Sequence, residues 1–310
     1  MTRRQRVQAA ARAEPVDHVP YSFWYHFLTE DPCGEEFIAA EVAFAEEYGV
    51  DVLKVMHDAP YDLPADLPVL KTPADWRRLR PTDPRAGNWG RHLQALHEIK
   101  RRLSDDRPII DTIFGPLAYG ERISEQRMFD HLRADRASVQ AGLATIAETL
   151  GQVAAAYLEE GVVDGIFLAM GATSAAAMPP PQFLDDFLAH HRAVLEAASD
   201  GWLNVIHVHG ANVPWDCALE LPGAVINWSD RATGPTIAEA RARTDRCLWG
   251  GVDETKIGQH TPDEVGEEAR DALAESGGKG FGLTNGCSVP TDCPPANLYA
   301  IAEAAMAGRG

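Results

Sequence analysis

Short apolar runs recur along the chain, and a stretch with helical periodicity separates most of them. The runs are Val19–Trp24, Asp51–His57, Pro108–Phe114, Val163–Ala169, Leu203–Val208, Ala224–Trp228, Cys247–Val252 and Gly280–Thr284. Near-continuous hydrophobicity marks strands buried on both faces, as in a parallel sheet. Helical spacing fills Gly34–Tyr48, Asn88–Ser104, Asp130–Glu160, Gln182–Ala198, Pro235–Arg243, Pro262–Glu275 and Pro295–Ala307. Strands alternating with helices predict an α/β fold, and eight such runs predict a single (β/α)8 barrel over residues 1–310. A doubly wound sheet would need a strand-order reversal, and no glycine-rich dinucleotide fingerprint supports one. Gly277-Gly278-Lys279-Gly280 precedes a strand instead of joining a strand to a helix, so it reads as a turn.

Local signals support the helices. Thr261-Pro262-Asp263-Glu264 combines a capping Thr, a Pro in the first turn and a Glu at the third helical position. Thr72-Pro73-Ala74-Asp75 is a weaker start of the same kind, and Gly161 suits a helix C-terminus. Three long or Pro-rich connections, Thr29–Cys33, Asp58–Pro84 and Met170–Pro181, follow predicted strands. In a barrel they would lie on the catalytic face as lids or substrate walls.

Composition narrows the function. The net charge is -18, from 28 basic and 46 acidic residues. That argues against nucleic acid as a partner, and weakly against a polyanionic substrate unless basic residues gather in the site. No apolar run approaches the roughly 20 residues of a membrane helix, and no signal-peptide core follows the basic start. A cytoplasmic protein is expected. The five cysteines, Cys33, Cys217, Cys247, Cys287 and Cys293, are too few for a disulfide framework.

The most informative chemistry is His207-Val208-His209-Gly210 at the end of one apolar run, with Asn285-Gly286-Cys287 at the end of another. Residues two apart in a strand share a face, so His207 and His209 can converge. Two imidazoles and a thiolate suit zinc and leave a fourth position open. The bland alternative has the histidines hydrogen-bonded within the barrel mouth and Cys287 as a small buried apolar residue. Zinc would deprotonate a bound thiol or, equally, a bound water, so a hydrolase also fits.

Other residues are placed to line the mouth. Trp24, Tyr25 and His26 follow the first run and offer aromatic walls for a substrate. Tyr119 and Glu121 lie beyond Phe114-Gly115-Pro116, and Asn227-Trp228 ends the sixth run. Asp253-Glu254 follows the seventh, where Asp253 serves either as an acceptor for a ligand histidine or as a loop cap. Cys293 precedes Pro294-Pro295 and reads as a helix-start residue. His190-His191 sits mid-helix, where neighbours diverge by about 100°, so the two cannot share a metal.

Taken together, several segments resemble the uroporphyrinogen decarboxylase superfamily, especially its zinc-dependent methyltransferase branch. They are Arg6-Val7, Glu14-Pro15-Val16-Asp17-His18-Val19-Pro20, Tyr48-Gly49-Val50-Asp51, Phe114-Gly115-Pro116-Leu117, the His-x-His-Gly segment, Trp249-Gly250-Gly251-Val252-Asp253, Asn285-Gly286-Cys287 and Pro294-Pro295-Ala296-Asn297-Leu298. The resemblance implies a (β/α)8 barrel. It also implies a zinc site that activates a thiol to accept a methyl group from a methylated corrinoid or a related donor. No cobalamin-binding motif is recognised here, so a corrinoid would arrive on a partner protein. A homodimer is the default expectation.

Two departures from the family pattern matter. The decarboxylase carries arginines for its substrate's carboxylates near the N-terminus, whereas the matching Tyr21-Ser22-Phe23-Trp24-Tyr25-His26-Phe27 has none. The methyltransferases use His-x-Cys and a later Cys. Here His207 and Cys287 match the outer ligands, and His209 replaces the middle Cys. Such a site is one unit more positive, favours a more acidic oxygen ligand, and leaves the identity of the metal open. The leading expectation is a zinc-dependent methyltransferase-like enzyme with His207, His209 and Cys287 as ligands. Asp58 or Asp253 would handle protons, and Trp24, His26, Tyr119 and Asn227 would contact substrate. The alternatives are a metal-independent decarboxylase that uses Asp58 on a less acidic substrate, and a non-catalytic protein that docks a corrinoid carrier.

Overall fold

A computed structural model describes residues 1–171, 180–210 and 213–307. Seven strands form one sheet: β1 (Leu53–Val55), β2 (Ile109–Phe114), β3 (Gly165–Met170), β4 (Val205–Val208), β5 (Val225–Trp228), β6 (Cys247–Val252) and β7 (Phe281–Asn285). They pair in sequence order, β1 to β7, every pair parallel. The sheet is curled, and helices cover its outer face.

The expected first strand, Val19–Trp24, is not a ladder. It makes a single parallel bridge, Tyr21 to Leu283 of β7. Its main chain is satisfied on that side by Leu283 N–H to Pro20 O at 2.9 Å and Ser22 N–H to Leu283 O at 3.1 Å. On the β1 side, side chains take the place of ladder bonds. The Tyr21 N–H donates to Asp51 Oδ2 at 3.1 Å, and Ser22 Oγ donates to Val52 O at 2.8 Å. The Asp51 N–H donates to Tyr21 O at 2.9 Å, the one main-chain bond across that gap among the described residues. The segment therefore touches both edges of the sheet.

The helices are α1 (Arg3–Ala11), α2 (Glu35–Tyr48), α3 (Gly87–Arg102), α4 (Pro116–Ile123), α5 (Met128–Ala134), α6 (Arg136–Glu159), α7 (Pro180–Asp186), α8 (Leu188–Ala197), α9 (Ile237–Arg241), α10 (Pro262–Ser276) and α11 (Pro295–Ala307). The expected α10 start is present: the Glu264 N–H donates to Thr261 Oγ1, and Gly277 ends the helix at φ 65°. The run Asp130–Glu160 is two helices. Asp135 leaves helical geometry (φ -152°, ψ 84°), and its carboxylate caps α6 by accepting from the Ser138 N–H at 3.1 Å. Gln182–Ala198 is likewise interrupted, at Phe187.

The sequence reading did not include α1 and α4. A capping box between Thr2 and Gln5 starts α1, and Arg6 anchors it by ion pairs to Asp17 (2.7 Å) and buried Asp51 (2.6 Å). Arg6, Asp17 and Asp51 all lie in segments that carry the family resemblance. Their structural task is to tie the N-terminus under the sheet.

Successive strand residues sort onto two faces. Ile166, Leu168, Ile206, Ile226, Leu248 and Leu283 join the large core shared with the helices. Ile110, Phe167, Val205, Val225, Cys247 and Trp249 form a second cluster with Trp24 on the enclosed face. His207 and Asn227 follow Val205 and Val225 by two positions and share that face.

The long connections differ in kind. Part of Asp58–Pro84 is structural: Pro73–Arg78 is a 3-10 helix behind a Thr72–Asp75 capping box. Trp76 there is fully buried, and its Nε1–H donates to His131 Nδ1 at 3.0 Å. Most of the Met170–Pro181 connection, 172–179, lies outside the described residues. Among the described residues, no helix is long and apolar enough to cross a membrane.

Candidate metal centre and its cavity

His207, on β4, and His209, just beyond it, meet Cys287, which follows β7. One donor atom from each lies within 4.8 Å of the others. Cys287 Sγ is 3.4 Å from His209 Nδ1. Gly210, at φ 78°, turns the chain directly after His209, a conformation that suits a residue without Cβ. Asn285 Nδ2 donates to the Cys287 carbonyl and holds the turn carrying the thiol.

His207 is 3% exposed and stacks on Phe167, with ring centroids 4.9 Å apart. Its Nδ1 lies 2.6 Å from Asn227 Oδ1. An amide oxygen only accepts, so Nδ1 carries the proton and Nε2 is left with its lone pair. Asn227 is itself fixed, because Nδ2 donates to Trp249 O at 3.1 Å and to Asn285 O at 3.2 Å. Such an outer partner sets the tautomer and ring orientation that a metal-binding histidine needs. Asn227→Ala is expected to lower metal affinity about 10–100-fold, read by competition with a chromogenic chelator; unchanged affinity would show that the amide does not orient the ring.

Protein packed around Cys287 would by itself push its thiol up. Hydrogen bonding and charge from His207 and His209 outweigh that and hold it well below the ordinary thiol range. The His209 imidazole is raised, first by its hydrogen bond to Cys287. A thiolate is therefore favoured between two imidazoles, which is the donor set zinc prefers.

The three residues open onto a cavity of about 240 Å³, also lined by Trp24, His26, Lys54, Phe114, Phe167 and Arg122, among others. A wider depression of about 730 Å³ lies near the N-terminal ends of β1 and β2, against Met1, Arg6, Asp51 and Tyr299. It contains none of these donors.

Of the residues singled out from sequence, Trp24 and His26 line the cavity, as does Glu121. Four do not. Asp58 pairs with His26 Nδ1 at 2.9 Å. Burial pushes the Asp58 carboxyl up, but His26, Lys54 and Arg122 outweigh it and hold it down. Asp253 touches neither histidine. It accepts from the Thr255 N–H at 2.9 Å and pairs with Lys256 at 2.9 Å, which is a loop cap. Tyr119 is 1% exposed and packs against Tyr61, Trp89 and Phe114 instead of facing the cavity. Asn227 lies behind His207.

His190, His191 and Cys293 also have local explanations. His190 Nε2 is 2.7 Å from Gln140 Oε1, linking α8 to α6, and buried His191 bonds Phe187 O at 2.9 Å. Cys293 is buried just before α11, and burial pushes its thiol up to about 11.

The family model for uroporphyrinogen decarboxylase (URO-D) matches residues 42–307. The chain belongs to the uroporphyrinogen decarboxylase family. No curated protein sequence matches it significantly. Among solved structures, this URO-D family chain is similar to a methyltransferase from Methanosarcina mazei, with TM-score 0.78 and 18% identity over 98% of both chains. It is also similar to a B12-independent methionine synthase from Shewanella sp. W3-18-1 (TM-score 0.59, 13% identity, 94% of both chains). A third similar structure is GH5_18 from Streptomyces cattleya, with TM-score 0.53, 16% identity, 93% of this chain and 80% of that one. At these identities the likeness is one of fold.

Sequence reading of this URO-D member missed Lys54, Phe167 and Arg122. Lys54 had a visible signal, as the one cation in the apolar run Val50–Met56. Phe167 had none, because an aromatic residue in a buried strand reads as core. Arg122 sits in α4, which the sequence reading did not include.

Proposed function

We propose that the chain is a metal-dependent, methyltransferase-like enzyme on a closed (β/α)8 barrel, with Tyr21 standing where the eighth strand would be. The observation that carries this reading is the convergence of His207, His209 and Cys287 on one point at the strand ends, facing a cavity. Methyltransferases among the proteins of similar fold support it.

The donor set fits zinc: one favoured thiolate, one imidazole locked by Asn227, and one imidazole within reach of both. When bound, zinc would supply Lewis acidity, lowering the pKa of a thiol or other heteroatom in the open fourth position. The chain's own residues do the rest. Asn227 holds His207 in one tautomer. Trp24, Phe114 and Phe167 keep water off one side of the substrate. His26 and Asp58 hold a proton between Nδ1 and a carboxylate oxygen at the cavity rim. In this reading a methyl-corrinoid arrives on a separate protein.

The decarboxylase reading has less support. Its proposed catalytic group, Asp58, is engaged by His26 and does not line the cavity.

The test is metal removal. Purified protein reconstituted with zinc under reducing conditions is expected to hold about one ion per chain. It should transfer a methyl group from free methylcobalamin to a thiol, lose that activity after a chelator, and regain it with zinc. Full activity after complete metal removal would overturn the reading.

A further inference from the structure

Lys54 lies on β1 with its side chain on the enclosed face, and it lines the cavity. The residue is 4% exposed. Its ammonium sits 4.6 Å from the ring centre of Phe167 and 5.3 Å from that of Trp24. The hydrogen-bond partner found for it is the Met56 thioether, 3.4 Å away and a weak acceptor. Among the described residues, no carboxylate oxygen lies within 4.0 Å of Nζ. The anionic groups that act on it, Cys287 first, then Glu41, Asp58 and Asp111, do so from outside contact. Cys287 belongs to the donor set, so its charge is committed elsewhere.

A buried ammonium held by two aromatic faces and a thioether is under-compensated. Such a charge normally neutralises, pairs or binds an anion. Burial does push Lys54 down, to about 8, which still leaves it mostly charged at neutral pH. Arg122 lines the same cavity, with its guanidinium 3.9 Å over Phe114. The acidic surface argued against anionic ligands, but this cavity holds two cations, Lys54 and Arg122, beside the Glu121 carboxylate and the Cys287 thiol.

We propose that Lys54 is an anion subsite, and that the substrate of this cavity is a small molecule carrying a carboxylate-type group on a short apolar body. The anion seats against Nζ, the apolar body lies between Trp24 and Phe167, and the reacting heteroatom points to His207, His209 and Cys287. Only that last placement rests on the function proposed above. The cavity, of about 240 Å³, suits a small molecule.

The experiment uses the chain's small lysine set. Lys71, Lys100, Lys256 and Lys279 are exposed, and Lys54 alone is buried. Protein labelled with ¹³C at lysine Cε is titrated with propionate and, separately, with neutral propionamide. The Lys54 signal is assigned by its disappearance in Lys54→Arg. The expected result is a saturable shift of that signal with propionate, at least about fivefold larger than with propionamide, while the exposed lysines shift little. Equal responses to the two probes, or no saturable response, would overturn the subsite.

A second readout compares zinc-loaded wild type with Lys54→Met. Wild type should bind 3-mercaptopropionate at least about tenfold more tightly than 1-propanethiol, and Lys54→Met should lose that preference while keeping its metal. A preference that persists in Lys54→Met overturns the subsite and leaves the metal reading intact. Protein without metal fails the metal reading, and the propionate titration still decides the subsite.

Discussion

Cys287→Ala is expected to lower zinc affinity by at least about a thousandfold, the largest effect of any single change at the proposed centre. The reason is charge. Cys287 is the one donor of the three whose bound form is anionic, and two neutral imidazoles remain without it. His207→Ala should follow, because His207 is buried and locked by Asn227 at 2.6 Å. His209→Ala should cost less. His209 is exposed and sits beyond the end of β4, so water can take its place. Affinity is read by competition with a chelator of known strength, at fixed pH because ligand deprotonation makes binding pH-dependent. Equal zinc affinity in wild type and Cys287→Ala would remove the sulfur from the site. Unchanged methyl transfer in the same variant would remove the mechanism with it.

Asp111→Asn is expected to destabilise the fold by about 3–5 kcal/mol. Asp111 on β2, His92 on α3 and His57 beyond β1 are all fully buried between sheet and helices. His92 Nε2 lies 2.8 Å from Asp111 Oδ1, and His57 Nδ1 lies 3.4 Å from Oδ2. The two imidazoles stack with centroids 3.7 Å apart. Burial disfavours charge on His92, but Asp111 outweighs it and raises His92 to about 10. Burial, with His92 beside it, lowers His57 to about 4. One carboxylate thus serves a charged imidazole and a neutral one. Removing its charge leaves a buried imidazolium unpaired, which is the costly case.

The pH dependence of stability follows from the same shifts. His92 has a folded pKa above its unfolded value of about 6.5. Its stabilisation is complete below that value and is lost as pH rises toward about 10. His57 has a folded pKa below it. Its penalty is absent above about 6.5 and grows as pH falls toward about 4. The pair together should give stability a maximum near pH 6.5. Asp111 is also lowered, to about 2, against burial, by the two histidines. Its stabilisation is present above about pH 4 and disappears below that. Urea unfolding across pH 4.5–9 tests this. Wild type should show the maximum and Asp111→Asn a flatter profile. A loss under about 1 kcal/mol in the variant would show that the cluster carries no net charge pairing.

The amino-acid sequence by itself determined the seven strands of the sheet, because burial on both faces leaves a readable apolar run. It determined that His207 and His209 share a face, since strand periodicity is a local rule. Order along the chain, with the motifs around it, was enough to reach the family and the pairing of His207 with Cys287. Local signals failed where two long-range choices compete. Val19–Trp24 reads as a strand, but Asp51 and Ser22 side chains take bonds that a ladder would use. Asp135 reads as helix interior, yet its carboxylate is worth more as a cap. Only the tertiary structure decided that Asn227 stands behind His207 instead of facing substrate, that Asp253 caps its own loop, and that Tyr119 packs inward. It alone placed Lys54 between Trp24 and Phe167, and His57 and His92 on one carboxylate. Those outcomes depend on which side chains from distant strands arrive at the same few ångströms. No periodicity encodes that, because it is set by the curl of the sheet and the packing of helices behind it.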